Sequence, residues 1–528
     1  MGQFPFAFER INETTWAYLS SFLMIALFFK FNRFWSVRNL DLLLIILLAP
    51  GILMVHVGQR WENSIEPTEA TASPDDAEGA TGQENEPVNA GAVPVEPPTE
   101  APSESQTLTG TDESSNVDSA DATPGKTQEN QLELARLLQL WGYYWLFSVG
   151  ALFLIRLLLD NALIRRPILE SNLNISGLVF LGCTLMIFLF LNVVNSYPSQ
   201  EDLSGAQSAV KLLQREAAEE NDVDQLIQRG PGYTLISVLP IIPSFGGDEV
   251  LEADLSKVDQ RENRNINRYV AAAKSLAIAS QFAIVLGLIL IGYWHFNNFR
   301  TGVEAATIYL ILPYTAIFMG HAMHGLPAAL MVWAIAFLKR PFLAGILIGL
   351  AIGVSYYPLF LLALWISFYW EKGKWPFIYG VLISLAICAA GLLFTSASFG
   401  QFLSQLQRML GAFTPLMNNL AGIWGLGWDY SFRLPLLAAF IAFSASFAFW
   451  PIRKNIGTLI SCTAAVMVAL QFWHGFGGGT YLAYYIPLAI LIFLRPNVDG
   501  RDAVSEITWA ENERRLKSET NADLLPAE

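Results

Sequence analysis

Charged residues are scarce in this chain of 528 residues, and their scarcity excludes a water-soluble protein of this size. Asp, Glu, Lys and Arg make up only 15% of the chain, against roughly 25% in a typical soluble domain. Apolar residues make up 53%, and a soluble chain needs more polar surface than this composition provides. We therefore expect an all-α, polytopic bundle of transmembrane helices.

Cysteine is rare and the common enzyme motifs are missing. Cys183, Cys388 and Cys462 all fall in apolar segments, so their spacing indicates neither a metal site nor a disulfide framework. The sequence has no Walker A loop, no GxGxxG after a strand, no HExxH and no GxSxG. The predicted cytoplasmic loops are too short for a nucleotide-sugar site, and we expect no nucleic-acid partner. A functional site is therefore expected on the outer face or within the bundle.

The charge that is present is concentrated in one segment. Residues 61–130 contain sixteen acidic residues and one lysine, so the rest of the chain carries about +1 of the net charge of −14. This segment is rich in Pro, Ser, Thr, Gly and Ala, and it cannot bury enough apolar surface to offset the entropy of ordering. We predict a disordered acidic linker over residues 61–135. It is either a solvated spacer or a tether that binds partners or attracts cations.

Thirteen apolar segments are candidate membrane spans. Every loop that follows an odd-numbered segment contains Lys or Arg, whereas the outer turns "GHAMHG" and "HGFGGG" contain neither. Because short basic loops face the cytoplasm, we predict a multi-pass protein of the cell membrane with its N-terminus outside and its C-terminus inside. The segments are 16–31, 40–57, 137–158, 175–194, 270–294, 303–319, 326–338, 341–354, 358–370, 376–393, 434–450, 456–472 and 481–494.

The loop at 196–269 is too long for an ordinary connector. Its first part has apolar residues at helical spacing, with Asp202 near the start, where a carboxylate caps a helix. The stretch that begins at Pro231 is apolar and broken by proline, so we expect a re-entrant or interfacial segment. The predicted parts of the chain are a transmembrane hairpin (1–60), the acidic linker (61–135), two further spans (136–195), the outer loop (196–269), the main bundle (270–496) and a cytoplasmic tail (497–528).

Ionisable side chains on the predicted outer face are the candidates for a functional site. Asp202 is the carboxylate that we single out, with Glu201 as the alternative, and a helix cap explains Asp202 equally well. His321 and His324 are three residues apart and share a helix face, so they either bind metal or phosphate or are two interfacial histidines. His474 precedes "GFGGG", whose amides either approach an anion or form a flexible turn.

The central spans contain, in this order, a Pro, an outer loop, a short basic turn, "AGxxxGLA" and a further span that ends in basic residues. The pattern occurs in "ILPYTAIFMGHAMHGLPAALMVWAIAFLKRPFLAGILIGLAIGVSYYPLFLLALWISFYWEKGKW". It resembles the central region of bacterial polytopic glycosyltransferases of the GT-C superfamily, which are mannosyltransferase-like enzymes that use polyprenyl-phosphate sugars. With "YTLISVLPIIPSFG" and "HGFGGGTYLAYYIPLAILIFLRP", the resemblance covers residues 192–496. The matching positions are Pro313, Gly320, Ala344, Gly345, Gly349, Leu350 and Ala351.

The resemblance implies a helical membrane bundle with a catalytic acidic residue in the first large outer loop. That carboxylate acts as a general base on the acceptor hydroxyl while the sugar leaves a polyprenyl-phosphate donor. Asp202 falls on this position, and Glu201 is the less favoured choice. The implied partners are membrane lipid and the lipid-linked sugar, and a divalent cation is left open as a cofactor. Candidates for holding the donor phosphate are Arg261, Arg264, Arg268, His321, His324 and His474.

Three functions therefore remain to be distinguished. The first is a GT-C-like glycosyltransferase that acts at the outer face. The second is a non-catalytic membrane scaffold or envelope-assembly protein, and the third is a transporter of small molecules or lipids. Convergence of Asp202, His321, His324 and His474 on one outer cavity is what the first predicts, whereas wide scatter favours the scaffold.

Overall fold

A computed structural model describes residues 12–65, 124–162, 170–214, 228–241, 258–396, 398–410, 420–452 and 454–496, with residues 504–508, 510–512 and 515 of the tail. Over these ranges the chain is helical and has no β-strand, so the prediction of an all-α protein is confirmed. The helices are α1 (Glu13–Phe28), α2 (Val37–Ile46), α3 (Leu48–Ile65), α4 (Pro124–Leu159), α5 (Ile175–Asn195), α6 (Gln200–Gln214), α7 (Pro231–Ser237), α8 (Val258–Trp294), α9 (Phe299–Ile311), α10 (Pro313–Phe318), α11 (Ala322–Ala336), α12 (Pro341–Ser355), α13 (Leu362–Phe368), α14 (Lys374–Thr395), α15 (Phe399–Leu410), α16 (Arg433–Ser446), α17 (Ile456–Leu470) and α18 (Ile486–Leu494).

Five helical segments of the described chain are long and apolar enough to cross a membrane, which supports a membrane protein. The other predicted segments coincide with shorter helices, often because a proline divides them. For example, the predicted span 303–319 breaks between α9 and α10 at Pro313, which cannot donate a backbone hydrogen bond. The count of thirteen spans, their orientation and the GT-C-like class therefore stay predictions. The five segments are Val37–Ile65, Gln128–Leu159, Ile175–Asn195, Ile266–Trp294 and Lys374–Phe394.

The chain forms two compact units, of which the smaller is Val57–Leu138. Within this unit, Arg136 Nε donates to Glu62 Oε1 at 2.8 Å and links the end of α3 to the start of α4. The predicted disordered linker was therefore too long, because residues 61–65 and 124–135 are helical extensions of the flanking spans. The rest of the predicted linker, residues 66–123, lies outside the described residues.

The larger unit, Met1–His56 with Gln139–Glu528, contains the other helices. In this unit α12 and α14 pack against each other through the glycines of the "AGxxxGLA" motif. A Cβ on Gly345 would lie 2.1 Å from the carbonyl oxygen of Phe377, and one on Gly349 would lie 2.9 Å from that of Val381. Small residues permit such backbone contact between helices in a membrane. The motif that carries the resemblance therefore has a packing role in this fold.

A buried network of charges joins α2, α4 and the residue that follows α18. Arg156 on α4 contacts both oxygens of Asp41 on α2, at 2.5 and 2.7 Å. Arg156 Nη1 also donates to Asp160 Oδ1 at 3.2 Å, and Arg495 Nη2, just after α18, donates to Asp160 Oδ2 at 2.7 Å. The predicted N-terminal hairpin is therefore bound into this unit through Asp41.

Candidate functional site

The site begins at the N-terminus of α6, in the predicted outer loop. Ser199 Oγ accepts from the backbone N–H of Asp202 at 3.2 Å and donates to Asp202 Oδ2 at 2.7 Å. This pair fixes the Asp202 side chain at the first turn of α6. The sequence predicted that Asp202 caps this helix, but the N–H of the first turn is accepted by Ser199, while the N–H that Asp202 accepts belongs to α11.

Asp202 also joins α6 to the turn between α10 and α11. Its Oδ1 accepts from the backbone N–H of Ala322 at 3.1 Å, so it caps the N-terminus of α11, where the helix dipole favours a negative charge. Its Oδ2 lies 3.2 Å from Nδ1 of His321. Asp202 is only 2% exposed, and both oxygens are occupied by these neighbours. The carboxylate is therefore positioned to orient His321 and does not itself face solvent.

His321 faces a narrow cleft of about 60 Å³. Its side chain is 35% exposed. Lys274 of α8 lines the same cleft and donates from Nζ to the carbonyl of Val194 at 2.6 Å. Gly320 leaves open space beside it, because a Cβ there would meet nothing within 4 Å. The cleft is lined by Asn192, Val193, Ser196, Tyr197, Pro198, Ser199, Lys274, Ala316, Ile317, Gly320 and His321.

The protonation of His321 is controlled by its carboxylate neighbour. Burial alone lowers the pKa of the imidazole, but the hydrogen bond to Asp202 and the charges of Asp202 and Glu201 outweigh burial. The pKa therefore lies above the ordinary value of about 6.5. With Nδ1 directed at Asp202, the other ring nitrogen is available to exchange a proton with a group in the cleft.

The other two predicted histidines lie behind this pair in a row of stacked rings. His324 stacks on Tyr481 with ring centroids 4.4 Å apart, and His474 contacts the same tyrosine at 4.6 Å. His474 also contacts Tyr357 at 4.5 Å, and the centroids of His321 and His324 are 5.9 Å apart. The three histidine rings are therefore linked by ring contacts, but their predicted convergence with Asp202 on one outer cavity stays a prediction. However, His324 and His474 are not among the residues that line the cleft.

His474 is held as a neutral ring. It is 2% exposed, and its Nδ1 accepts from the backbone N–H of Phe476 at 3.2 Å. Burial, together with the charge of Arg433, lowers the pKa of His474 to about 3. A buried, neutral imidazole is poorly placed to hold a phosphate. The backbone contact therefore supports a structural role for this residue and for the glycine-rich turn after it.

Glu201, the alternative carboxylate, contacts Arg229. Arg229 Nη2 lies 3.6 Å from Glu201 Oε2, while its Nη1 donates to the Glu201 carbonyl and to Ser204 Oγ. The guanidinium also lies over the ring of Tyr233, at 5.4 Å from its centroid. Arg229 thus fastens α6 to α7. The Glu201 side chain points to solvent, 66% exposed, and is not part of the cleft.

The three predicted arginines stand at the start of α8. The side chains of Arg261 and Arg264 lie outside the described residues. Arg268 is half-buried six residues before Lys274, about 9 Å along the helix axis. It is not among the residues that line the cleft, whereas Lys274 is. The basic residue that lines the cleft with His321 is therefore Lys274, which was not among the residues predicted to hold the donor phosphate.

The divalent cation that the sequence left open as a cofactor has no ligand set among the described residues. No group of three or more His, Cys, Asp and Glu side chains converges there in a way that would hold a metal ion. Comparison of the whole sequence and fold with protein-family models, curated proteins and solved structures found no match. The functional argument therefore rests on the geometry of the Asp202–His321 pair and its cleft.

Proposed function

We propose that the protein transfers a sugar from a polyprenyl-phosphate donor to an acceptor hydroxyl at the outer face of the cell membrane. The observation that carries the proposal is the pairing of a buried carboxylate with an imidazole that opens onto a cleft, at the ends of apolar helices. The resemblance to GT-C enzymes supplies the substrate class. The orientation with the N-terminus outside, which places the cleft on the outer face, belongs to the same proposal.

In this proposal His321 is the general base and Asp202 positions it. The acceptor oxygen bonds to the anomeric carbon of the sugar while the bond from that carbon to the phosphate oxygen breaks. The acceptor proton passes to the exposed nitrogen of His321, and polyprenyl phosphate leaves with the bonding electrons. Asp202 favours the imidazolium that forms, because it accepts the hydrogen bond from Nδ1. This refines the sequence hypothesis, in which Asp202 itself took the proton.

Lys274 is the group best placed to bind the donor phosphate. Its ammonium has two N–H donors besides the one that reaches Val194, and it shares the cleft with His321. A charge-assisted hydrogen bond to phosphate is among the stronger polar contacts in proteins. It would hold the donor close to the base, at the membrane surface where a lipid-linked sugar resides.

The proposal is tested with membrane vesicles that contain the full-length chain and a radiolabelled polyprenyl-phosphate hexose. Movement of the label into products is followed by thin-layer chromatography. We expect His321→Gln to slow transfer roughly 100- to 10,000-fold, the usual contribution of a general base. The matched control is His56→Gln, because His56 also pairs with a carboxylate, Glu13, at 3.1 Å but does not line the cleft.

Two outcomes would overturn the assignment. Equal transfer by the parent and by His321→Gln removes His321 as the base. The parent is also supplied with each polyprenyl-phosphate hexose in turn. If it then transfers no more label than vesicles without the protein, the result favours the scaffold or transporter alternatives. Asp202→Asn tests whether Asp202 orients His321. We expect this variant to slow transfer, while the donor concentration for half-maximal rate stays unchanged.

A further inference from the structure

Helix α15 follows the end of a membrane-length helix so closely that it must lie near the membrane surface. α14 is an apolar helix of 22 residues that ends at Thr395, and α15 begins at Phe399. The three residues between them span at most about 11 Å when fully extended. α15 is therefore held at the level where α14 leaves the hydrocarbon.

One face of α15 is apolar and exposed. At 100° per residue, Phe399, Phe402, Leu403 and Leu406 fall within an arc of about 100°. Phe399, Leu403 and Leu406 are all exposed, the first of them by 73%. The opposite arc holds polar residues, namely Gln401, Ser404, Gln407 and Arg408.

The rotation of α15 about its own axis is fixed by a buried amide. Gln405 is fully buried, and its Oε1 accepts from Ser396 Oγ at 2.7 Å. The Ser396 hydroxyl also lies 2.8 Å from the carbonyl of Leu392 in the last turn of α14. Because Gln405 faces the end of α14, the apolar arc cannot turn inward. Leu393 and Phe394, in the last turn of α14, are also exposed.

We propose that α15 lies in the membrane interface with its apolar face in the lipid of the leaflet where α14 ends. Lipid is the occupant because α15 begins within a few residues of the exposed apolar end of a membrane-length helix. The helix contains one basic and no acidic residue, so the contact rests on apolar burial and does not require anionic lipid. This inference is independent of the proposed sugar transfer.

The test uses the full-length protein in phosphatidylcholine vesicles, with Cys183, Cys388 and Cys462 replaced by serine. Single nitroxide labels are attached after Leu403→Cys or Leu406→Cys on the apolar face, and after Ser404→Cys or Gln407→Cys on the polar face. Power-saturation spectroscopy then compares collision with oxygen, which dissolves in lipid, and with a water-soluble nickel chelate. We expect severalfold higher oxygen accessibility and severalfold lower nickel accessibility on the apolar face.

Two results would overturn the proposal. Equal nickel accessibility at all four positions places the whole helix in water. Protection of the Leu403→Cys and Leu406→Cys labels from both reagents shows a protein occupant, either a second copy or another partner. Wild-type thermal stability of each labelled variant confirms that the comparison is made on folded protein.

Discussion

The buried charge network leads to a prediction that compares a buried carboxylate with an exposed one. Asp160 Oδ2 lies 2.7 Å from Arg495 Nη2, and the two side chains are 0% and 7% exposed. Glu511 Oε2 lies at the same distance, 2.7 Å, from Lys372 Nζ, but these side chains are 56% and 34% exposed. Replacing each carboxylate with its amide, Asp160→Asn and Glu511→Gln, removes one negative charge in each environment, and Asp160→Asn also breaks the 3.2 Å contact with Arg156.

The expected magnitudes differ because the surroundings screen the charges differently. At 2.7 Å, two unit charges attract by about 1.5 kcal/mol in bulk water and by about 6 kcal/mol at an effective dielectric constant of about 20. Asp160→Asn leaves the Arg495 charge buried without its carboxylate, which typically costs about 3–5 kcal/mol. Glu511→Gln breaks an exposed pair, which is worth about 0–1 kcal/mol. We therefore expect at least a threefold difference between the two losses of stability.

The assay is thermal unfolding in detergent with a dye that fluoresces when it reacts with thiols. Cys388 and Cys462 are buried and report unfolding, while the exposed Cys183 is first replaced by serine. At about 2 °C per kcal/mol, the figure for larger domains, the midpoint should fall by about 6–10 °C for Asp160→Asn and by at most about 2 °C for Glu511→Gln. Equal shifts in the two variants would refute the reasoning from burial.

Two further predictions concern the contacts around the cleft. Gly230→Ala places a Cβ 1.9 Å from the carbonyl oxygen of Gly353, so we expect this overpacking to lower the free energy of unfolding by about 1–3 kcal/mol. In the control Gly320→Ala the new Cβ meets nothing within 4 Å, and the thermal midpoint should stay unchanged. Asp202→Asn removes the charge that raises the pKa of His321, so modification of His321 by diethyl pyrocarbonate, followed by mass spectrometry, should shift to lower pH. A profile that does not move contradicts the pairing. With a raised pKa, the stabilisation from this pair is complete below the ordinary pKa and is lost as the pH rises through the raised value.

The helical class was predictable because apolar composition restricts a membrane chain to helices or closed barrels. The lengths of the helices were less predictable. Proline breaks such as the one at Pro313 shorten the predicted spans. In contrast, both ends of the acidic segment are helical although its composition predicted disorder. Charge and composition report average tendencies of a segment. Where a helix ends depends on particular contacts, such as the pair between Arg136 and Glu62.

The candidate site was predictable only in part. Asp202 and His321 were selected from the sequence, as ionisable groups on the predicted outer face, whereas Lys274, which lines the cleft with His321, was not. Their spacing could not reveal that Tyr481 separates His324 from His474 or that Lys274 lies beside His321. These contacts join residues far apart in the chain. A single sequence carries no signal for such pairings, because they depend on how the helices pack.

Asp160 and Asp202, two of the buried aspartates of the larger unit, show why only one of them suits acid–base chemistry. Arg156, which contacts Asp160, lies thirteen residues after Tyr143 on α4, about 20 Å along the helix axis. Tyr143 approaches Gly477 in the turn that follows His474. The Asp160 network is therefore about 20 Å along α4 from that turn. Asp160 is held by arginines, whose charge does not change in proteins. Asp202 is held by a hydroxyl, a backbone amide and a histidine, and the histidine titrates near neutral pH. A carboxylate fixed between permanent cations can only stabilise the fold, whereas one that orients an imidazole beside an open cleft can also direct the movement of a proton.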